Sequence, residues 1–195
     1  MGNWIFVGLV VAAIVFTIYV YNRLITLKNR FKNAFAQIDV QLQRRHDLIP
    51  NLVETAKGYM DHERETLTRV TEARAAAVSA KEAARKHPDD PGAVNALGKA
   101  ESFLSGSLAN MFALSENYPE LRANETMSQL MEELSTTENR IGFARQAFND
   151  SVMDYNTYRE QFPNNFVAGM FGSFRKAELL EIQTPEARQT PQVSF

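Results

Sequence analysis

From Met1 to Asn22 no side chain carries a charge, and Trp4 to Tyr21 is one apolar run. At about 1.5 Å per residue, a helix of that length crosses most of the ~30 Å hydrocarbon core of a bilayer. Trp4 at one end and Tyr19 and Tyr21 at the other suit the aromatic belts of two interfaces. A cleaved signal peptide would put basic residues before the apolar run and small residues at a cut site. Here Arg23, Lys28, Arg30 and Lys32 all follow it, so the run is expected to be an uncleaved, single-pass anchor contacting lipid through residues 4–21. By the positive-inside rule those cations place the N-terminus outside and the rest of the chain in the cytoplasm. Met1-Gly2 is not a myristoylation signal, because Phe6 stands where Ser or Thr is required. Gly8 and Ala12 form a small-xxx-small pair that lets two spans approach, although such pairs are also common in lone spans.

Beyond the span, Leu24, Leu27, Phe31, Phe35, Ile38, Leu42, Ile49, Val53, Ala56 and Met60 recur in steps of three and four, with one gap at Arg45. No Gly or Pro falls between Asn22 and Ile49, so the membrane helix is expected to run on as a stiff stalk. Pro50 leaves two readings open: a break, with Asp47 capping a new helix, or a kink. A second helical run is expected from about Asn51 to Lys86, ended by His87-Pro88-Asp89-Asp90-Pro91-Gly92, where Asp90 caps and Pro91 opens the next helix. The third runs from Ala93 to Asn117 and the fourth from about Asn124 to Gln161. Phe166 to Phe174 is apolar but too short to span a membrane, and is expected to dock. No repeat of solenoid length is present. The fold class is therefore all-α: a transmembrane helix continuing into an elongated antiparallel bundle of about four long helices.

Residues 37–63, QIDVQLQRRHDLIPNLVETAKGYMDHE, keep the helical rhythm while crowding Asp39, Arg44, Arg45, His46 and Asp47 ahead of a proline. That stretch resembles the signature of the LemA family, bacterial proteins with one N-terminal membrane span and a long-helix domain. The resemblance begins at Tyr21-Asn22 and resumes in Glu116 to Leu121, Thr137-Glu138-Asn139, Ala144-Arg145 and Tyr155-Asn156, covering most of residues 20–176. It implies a LemA-like bundle domain, here over residues 23–182, between the apolar anchor over 1–22 and a tail over 183–195 whose residues have little to bury and are expected to be flexible. It also implies placement in the bacterial inner membrane, roles in envelope stress or signalling, and envelope peptidases as partners. It supplies no active site.

Chemistry is sparse. With no cysteine there is no disulfide, thiol or cysteine-ligated zinc. His62-Glu63 opens the zinc-protease pattern H-E-x-x-H, but Thr66 stands where the second histidine is needed. There is no G-x-S-x-G elbow and no glycine-rich phosphate loop, and three histidines, one of them in a turn, are too few for a histidine metal site. No cofactor, metal or catalytic residue is expected, and a net charge of −2 offers nucleic acid nothing.

One polar pattern stands out. Glu138, Arg145, Asn149 and Asn156 form a narrow stripe along the fourth helix beside Ile141, Phe148 and Tyr155. Arg45 falls on the line Phe31, Ile38, Leu52, Tyr59, where an apolar residue is expected. The two patterns suggest Arg44 or Arg45 paired with Glu138, and Asp39 or Asp47 paired with Arg145, setting register between helices. The leading reading is a non-enzymatic, membrane-anchored scaffold or adaptor that self-assembles into homo-oligomers. The alternative is a ligand-sensing or enzymatic bundle whose site is the Asp39/Arg44/Arg45/Glu138/Arg145 cluster.

Overall fold

The computed structural model describes residues 2–60 and 62–182; the expectation for the tail over 183–195 lies outside them. The described residues form helices α1 (Gly2–Lys57), α2 (Arg64–Lys86), α3 (Pro91–Ser115), α4 (Pro119–Ala123), α5 (Glu125–Glu160) and α6 (Asn164–Met170), with no strand among them. The apolar run and the first bundle helix are one helix of 56 residues. Its apolar side chains up to Tyr19 face outward, including Trp4, Ile5, Leu9, Ile14 and Ile18. From Val20 onward one face is buried every third or fourth residue.

The long helices alternate in direction. α2 folds back along α1, setting Arg74 beside His46 and Lys81 beside Gln43. α3 returns, with Glu101 against Arg45. α5 runs back again as the principal partner of α1, carrying Glu138 to Arg45 and Asp154 to Arg30. Aromatic edge contacts of Phe31 and Phe35 with Phe148, and of Phe31 with Tyr155, join α1 to α5. The connections follow local chemistry. Asp90 accepts from the Gly92 amide with Pro91 in the first turn of α3, and Asn124 accepts from the Met127 amide at the start of α5. The short α4 was not visible as a separate periodic segment; it buries Leu121.

The apolar core is divided in two. The membrane-proximal part ends at Leu42, Ala84, Leu97 and Ile141, and the distal part begins at Ile49, Ala77, Leu104 and Leu134. On each of the four long helices the flanking residues are therefore seven positions apart, and polar side chains occupy the gap: Arg45 and His46, Lys81, Glu101, and Thr137 with Glu138. A single polar layer crosses the bundle between two apolar ones.

Pro50 neither ends α1 nor starts α2. α1 runs through it to Lys57, and α2 begins only at Arg64, after a turn at residues 58–59. A proline inside a helix has no N–H to give to the carbonyl four residues back, here that of His46. Arg74 Nε of α2 takes that carbonyl instead, at 2.6 Å. The bond lost within α1 is replaced by one that joins α1 to α2. Asp47, with no helix start to cap, accepts from Gln43 Nε2 at 2.8 Å on the surface.

Arg74→Met should leave the His46 carbonyl unsatisfied and cost about 1–3 kcal/mol. In a Pro50→Ala background, where the restored amide serves that carbonyl, the same substitution should cost well under about 1 kcal/mol. Denaturant unfolding of the full-length protein in detergent, read as a double-mutant cycle, measures the difference.

Candidate functional site

The polar layer is built around α1. Arg45 is 3% exposed and His46 fully buried, against α3's Glu101, also fully buried. Arg45 Nη1 stands 3.2 Å from Glu101 Oε2 and 3.1 Å from Glu138 Oε2, and Nη2 donates to Ser105 Oγ at 2.8 Å. His46 Nε2 lies 2.8 Å from Glu101 Oε1. His46 Nδ1 is buried without a hydrogen-bond partner among the described residues. Both oxygens of Glu101 are thus taken by adjacent residues of one helix, and Arg45 divides its charge between α3 and α5.

One turn nearer the membrane, Lys81 of α2 is 2% exposed and donates to Gln43 Oε1. Asp39 Oδ1 lies 3.6 Å from Lys81 Nζ, an ion pair longer than a hydrogen bond. At the α2–α3 turn, Asp89 meets Lys28 at 2.8 Å and Lys32 at 3.1 Å. Burial pushes its carboxyl up, but hydrogen bonds from the two lysines outweigh that and hold its pKa at about 2.

The stripe on α5 divides in function. Arg45 and Glu138 meet, whereas Arg44, half-exposed, reaches Glu133 at 3.8 Å. Arg145 meets neither Asp39 nor Asp47. Asp39 lies on the face of α1 turned to α2, where Lys81 takes it, and Asp47 is exposed. Arg145, Asn149 and Asn156 instead hold an extended segment, residues 174–182, against α5.

The Asn156 carboxamide donates to the Ala177 carbonyl at 2.8 Å and accepts from the Ala177 amide at 3.0 Å. Asn149 does the same with Leu180, at 3.3 and 2.9 Å. Arg145 donates to the Ile182 carbonyl at 2.6 Å, and Arg159 to that of Phe174 at 2.8 Å. Burial pushes the Tyr155 hydroxyl up to about 12, and it donates to the Arg175 carbonyl at 2.9 Å. The spacing follows from the two geometries: seven helical residues rise about 10.5 Å, and three extended residues about 9–10 Å. Phe174, Ala177 and Leu180 are buried with that period of three.

On its other side the segment meets α3. A Cβ at Gly98 would collide with the Glu181 carbonyl oxygen, a backbone atom. Beyond Ile182 the groove between α3 and α5 continues as a cavity of about 390 Å³, lined by Leu108, Phe112, Met131 and Leu134, with Arg45 and Glu138 in its wall.

Glu101, Lys81 and Arg74 were not among the residues picked from the sequence, and His46 was noted in the crowded stretch without a partner. Glu101 and Lys81 carry the signal that exposed Arg45: each replaces an apolar residue in a helical line, Leu97 to Leu104 and Ala77 to Ala84. Gly8 and Ala12 lie on the exposed part of α1, and a Cβ at Gly8 would meet nothing within 4 Å.

Fold and site define a class: an all-α bundle grown from a helix long and apolar enough to cross a membrane, with a polar layer across its middle. The LemA family model matches residues 34–195, and this membrane-associated chain belongs to the LemA family. It is 26% identical to magnetosome protein MamQ of Magnetospirillum gryphiswaldense over 81% of this chain and 63% of that protein. It is 27% identical to magnetosome protein MamQ 2 of Paramagnetospirillum magneticum over 93% of this chain and 71% of the relative. Protein LemA of Metamycoplasma hominis is 25% identical over 86% of this chain and 75% of its own length. The chain thus spans less than two thirds of the first of these relatives.

Gly98→Ala should destabilise the full-length protein by about 1–3 kcal/mol, the cost of overpacking. Gly106→Ala, where a Cβ meets nothing within 4 Å, should instead gain about 0.5–1 kcal/mol of helix propensity. Thermal unfolding of both variants in detergent should move their midpoints in opposite directions.

Proposed function

We propose that this protein is a membrane-tethered helical scaffold that works by holding a bundle at a fixed place on the bilayer and assembling with further copies of itself, without catalytic chemistry of its own. The observation that carries the reading is how the polar layer uses its charges: Arg45, His46, Glu101 and Ser105 face one another between two apolar layers. Such a layer sets helix register rather than reacting with a substrate. The 56-residue α1 supports the tether, since it joins span and bundle without an intervening loop.

The cations Arg23, Lys28, Arg30 and Lys32 after the span favour a bundle on the cytoplasmic side of the bacterial inner membrane. Envelope peptidases fit as partners of such a scaffold. A second reading, a bundle that binds a ligand, is favoured by the cavity between α3 and α5. It no longer includes the whole expected cluster, because Asp39 and Arg145 are engaged elsewhere.

Crosslinking in native membranes, with mass measurement of the full-length protein in detergent, tests the assembly. Species larger than the monomer are expected, and Gly8→Leu with Ala12→Leu should diminish them. A monomer under both conditions would contradict the scaffold reading.

A further inference from the structure

After α5 the chain turns and forms α6, which packs on α1 and α5. One face of α6 is inside: Asn164, Val167 and Ala168 are buried, the last two in the same apolar cluster as Val20 and Leu24. The other face carries Phe166 and Met170, 65% and 74% exposed, and Phe162 just before the helix is 79% exposed. Phe166 and Met170 are spaced by four, as one helical stripe requires, while Phe162 lies outside the helix, ahead of the cis bond to Pro163. The rings of Phe162 and Phe166 meet edge to face at 5.9 Å. Phe103 and Phe143 are also exposed, but they stand singly on α3 and α5, which needs no special account. A group of three large apolar side chains in water does.

Its position says what covers it. Tyr21, the last residue of the apolar run, makes edge contacts with Phe171 at 4.9 Å and Phe174 at 5.3 Å, immediately after α6. The run from Trp4 to Tyr21 rises about 27 Å as a helix, close to the ~30 Å of a bilayer's hydrocarbon core. Tyr21 therefore stands at the edge of the hydrocarbon, and α6 stands beside it. Exposed Arg23 and Arg175 lie close to Tyr21 and Phe174 in the chain, suited to anionic headgroups. An apolar stripe with flanking cations at this height has the composition of an interfacial membrane contact.

We propose that Phe162, Phe166 and Met170 insert into the leaflet that α1 leaves, so that the bundle is held to the membrane at two points instead of one. This rests on α1 being a membrane span, and the test separates the two ideas. Trp4 is the chain's one tryptophan, so native emission reports the span. F166W and M170W, each in a W4F background, report the stripe, and F143W in the same background reports a part of α5 far from the membrane.

The full-length proteins are reconstituted in phosphatidylcholine–phosphatidylglycerol vesicles with and without bromine on the acyl chains. Loss of emission to brominated lipid is expected for Trp4, F166W and M170W, with blue-shifted maxima for the last two, and no loss for F143W. If Trp4 is quenched while F166W and M170W behave like F143W, the span stands and the second contact is overturned. Unquenched but blue-shifted emission, with crosslinking between copies at position 166, would mean that a second copy covers the stripe, and also overturns it. Unquenched Trp4 removes the span itself, and the proposal with it.

Discussion

The contact on which the rest of the bundle depends is made by two adjacent residues of α1. Arg45 reaches Glu101 and Ser105 on α3 and Glu138 on α5, while His46 gives its ring to Glu101 and its carbonyl to Arg74 on α2. Within two residues α1 is tied to all three other long helices. Removing such charges from water is expensive, so the pairs add little net stability compared with apolar residues of the same size. What they impose is position. A slip of any helix by seven residues would keep its apolar stripe inward but carry a charge into an apolar layer, unpaired, at a cost of several kcal/mol.

Pro50 belongs to the same arrangement. In an isolated helix it would leave a carbonyl without a donor, and the helix would bend or stop. In this bundle the vacancy at His46 is where Arg74 docks. Because α1 is not interrupted there, orientation set at the polar layer is carried along one helix to the membrane. The same helix is braced at the other end by α6 and by the extended segment after it, whose backbone is held by the side chains of Arg145, Asn149, Asn156 and Arg159. A stiff rod braced in this way is what the proposed scaffold role requires.

Much of this was legible in the residues. The apolar run, the steps of three and four, and the cap at Asp90 are local signals, and they locate α3 and α5 within a few residues, but not the start of α2, expected at about Asn51 and found at Arg64. Arg45 betrayed itself by interrupting an apolar line, and the stripe over Arg145, Asn149 and Asn156 announced that it needed partners. What those partners were was not local. Hydrogen bonds from Asn149 and Asn156 go to backbone atoms, which every residue has, so composition could not choose among candidates; only the chain's path, from Pro163 back along α5, puts Ala177 and Leu180 there. Asp39 or Asp47 was assigned to Arg145 because opposite charges were sought on the same two helices. The neighbour of Asp39 is Lys81, on a third helix that begins at Arg64 and not just after Pro50. The proline misled because its defect is repaired from a distance.

The central claim is that the polar layer fixes register, and one measurement addresses it most directly. In the full-length protein, Arg45→Met, His46→Leu and Glu101→Leu together would replace the layer's centre with apolar side chains, with nitroxide labels at exposed Asn51 on α1 and Asn110 on α3. Pulsed electron resonance then reads the distance between α1 and α3. The account predicts unfolding stability equal to or above the parent's together with a broadened or divided distance distribution. A distribution as narrow as the parent's, at the same distance, would contradict it.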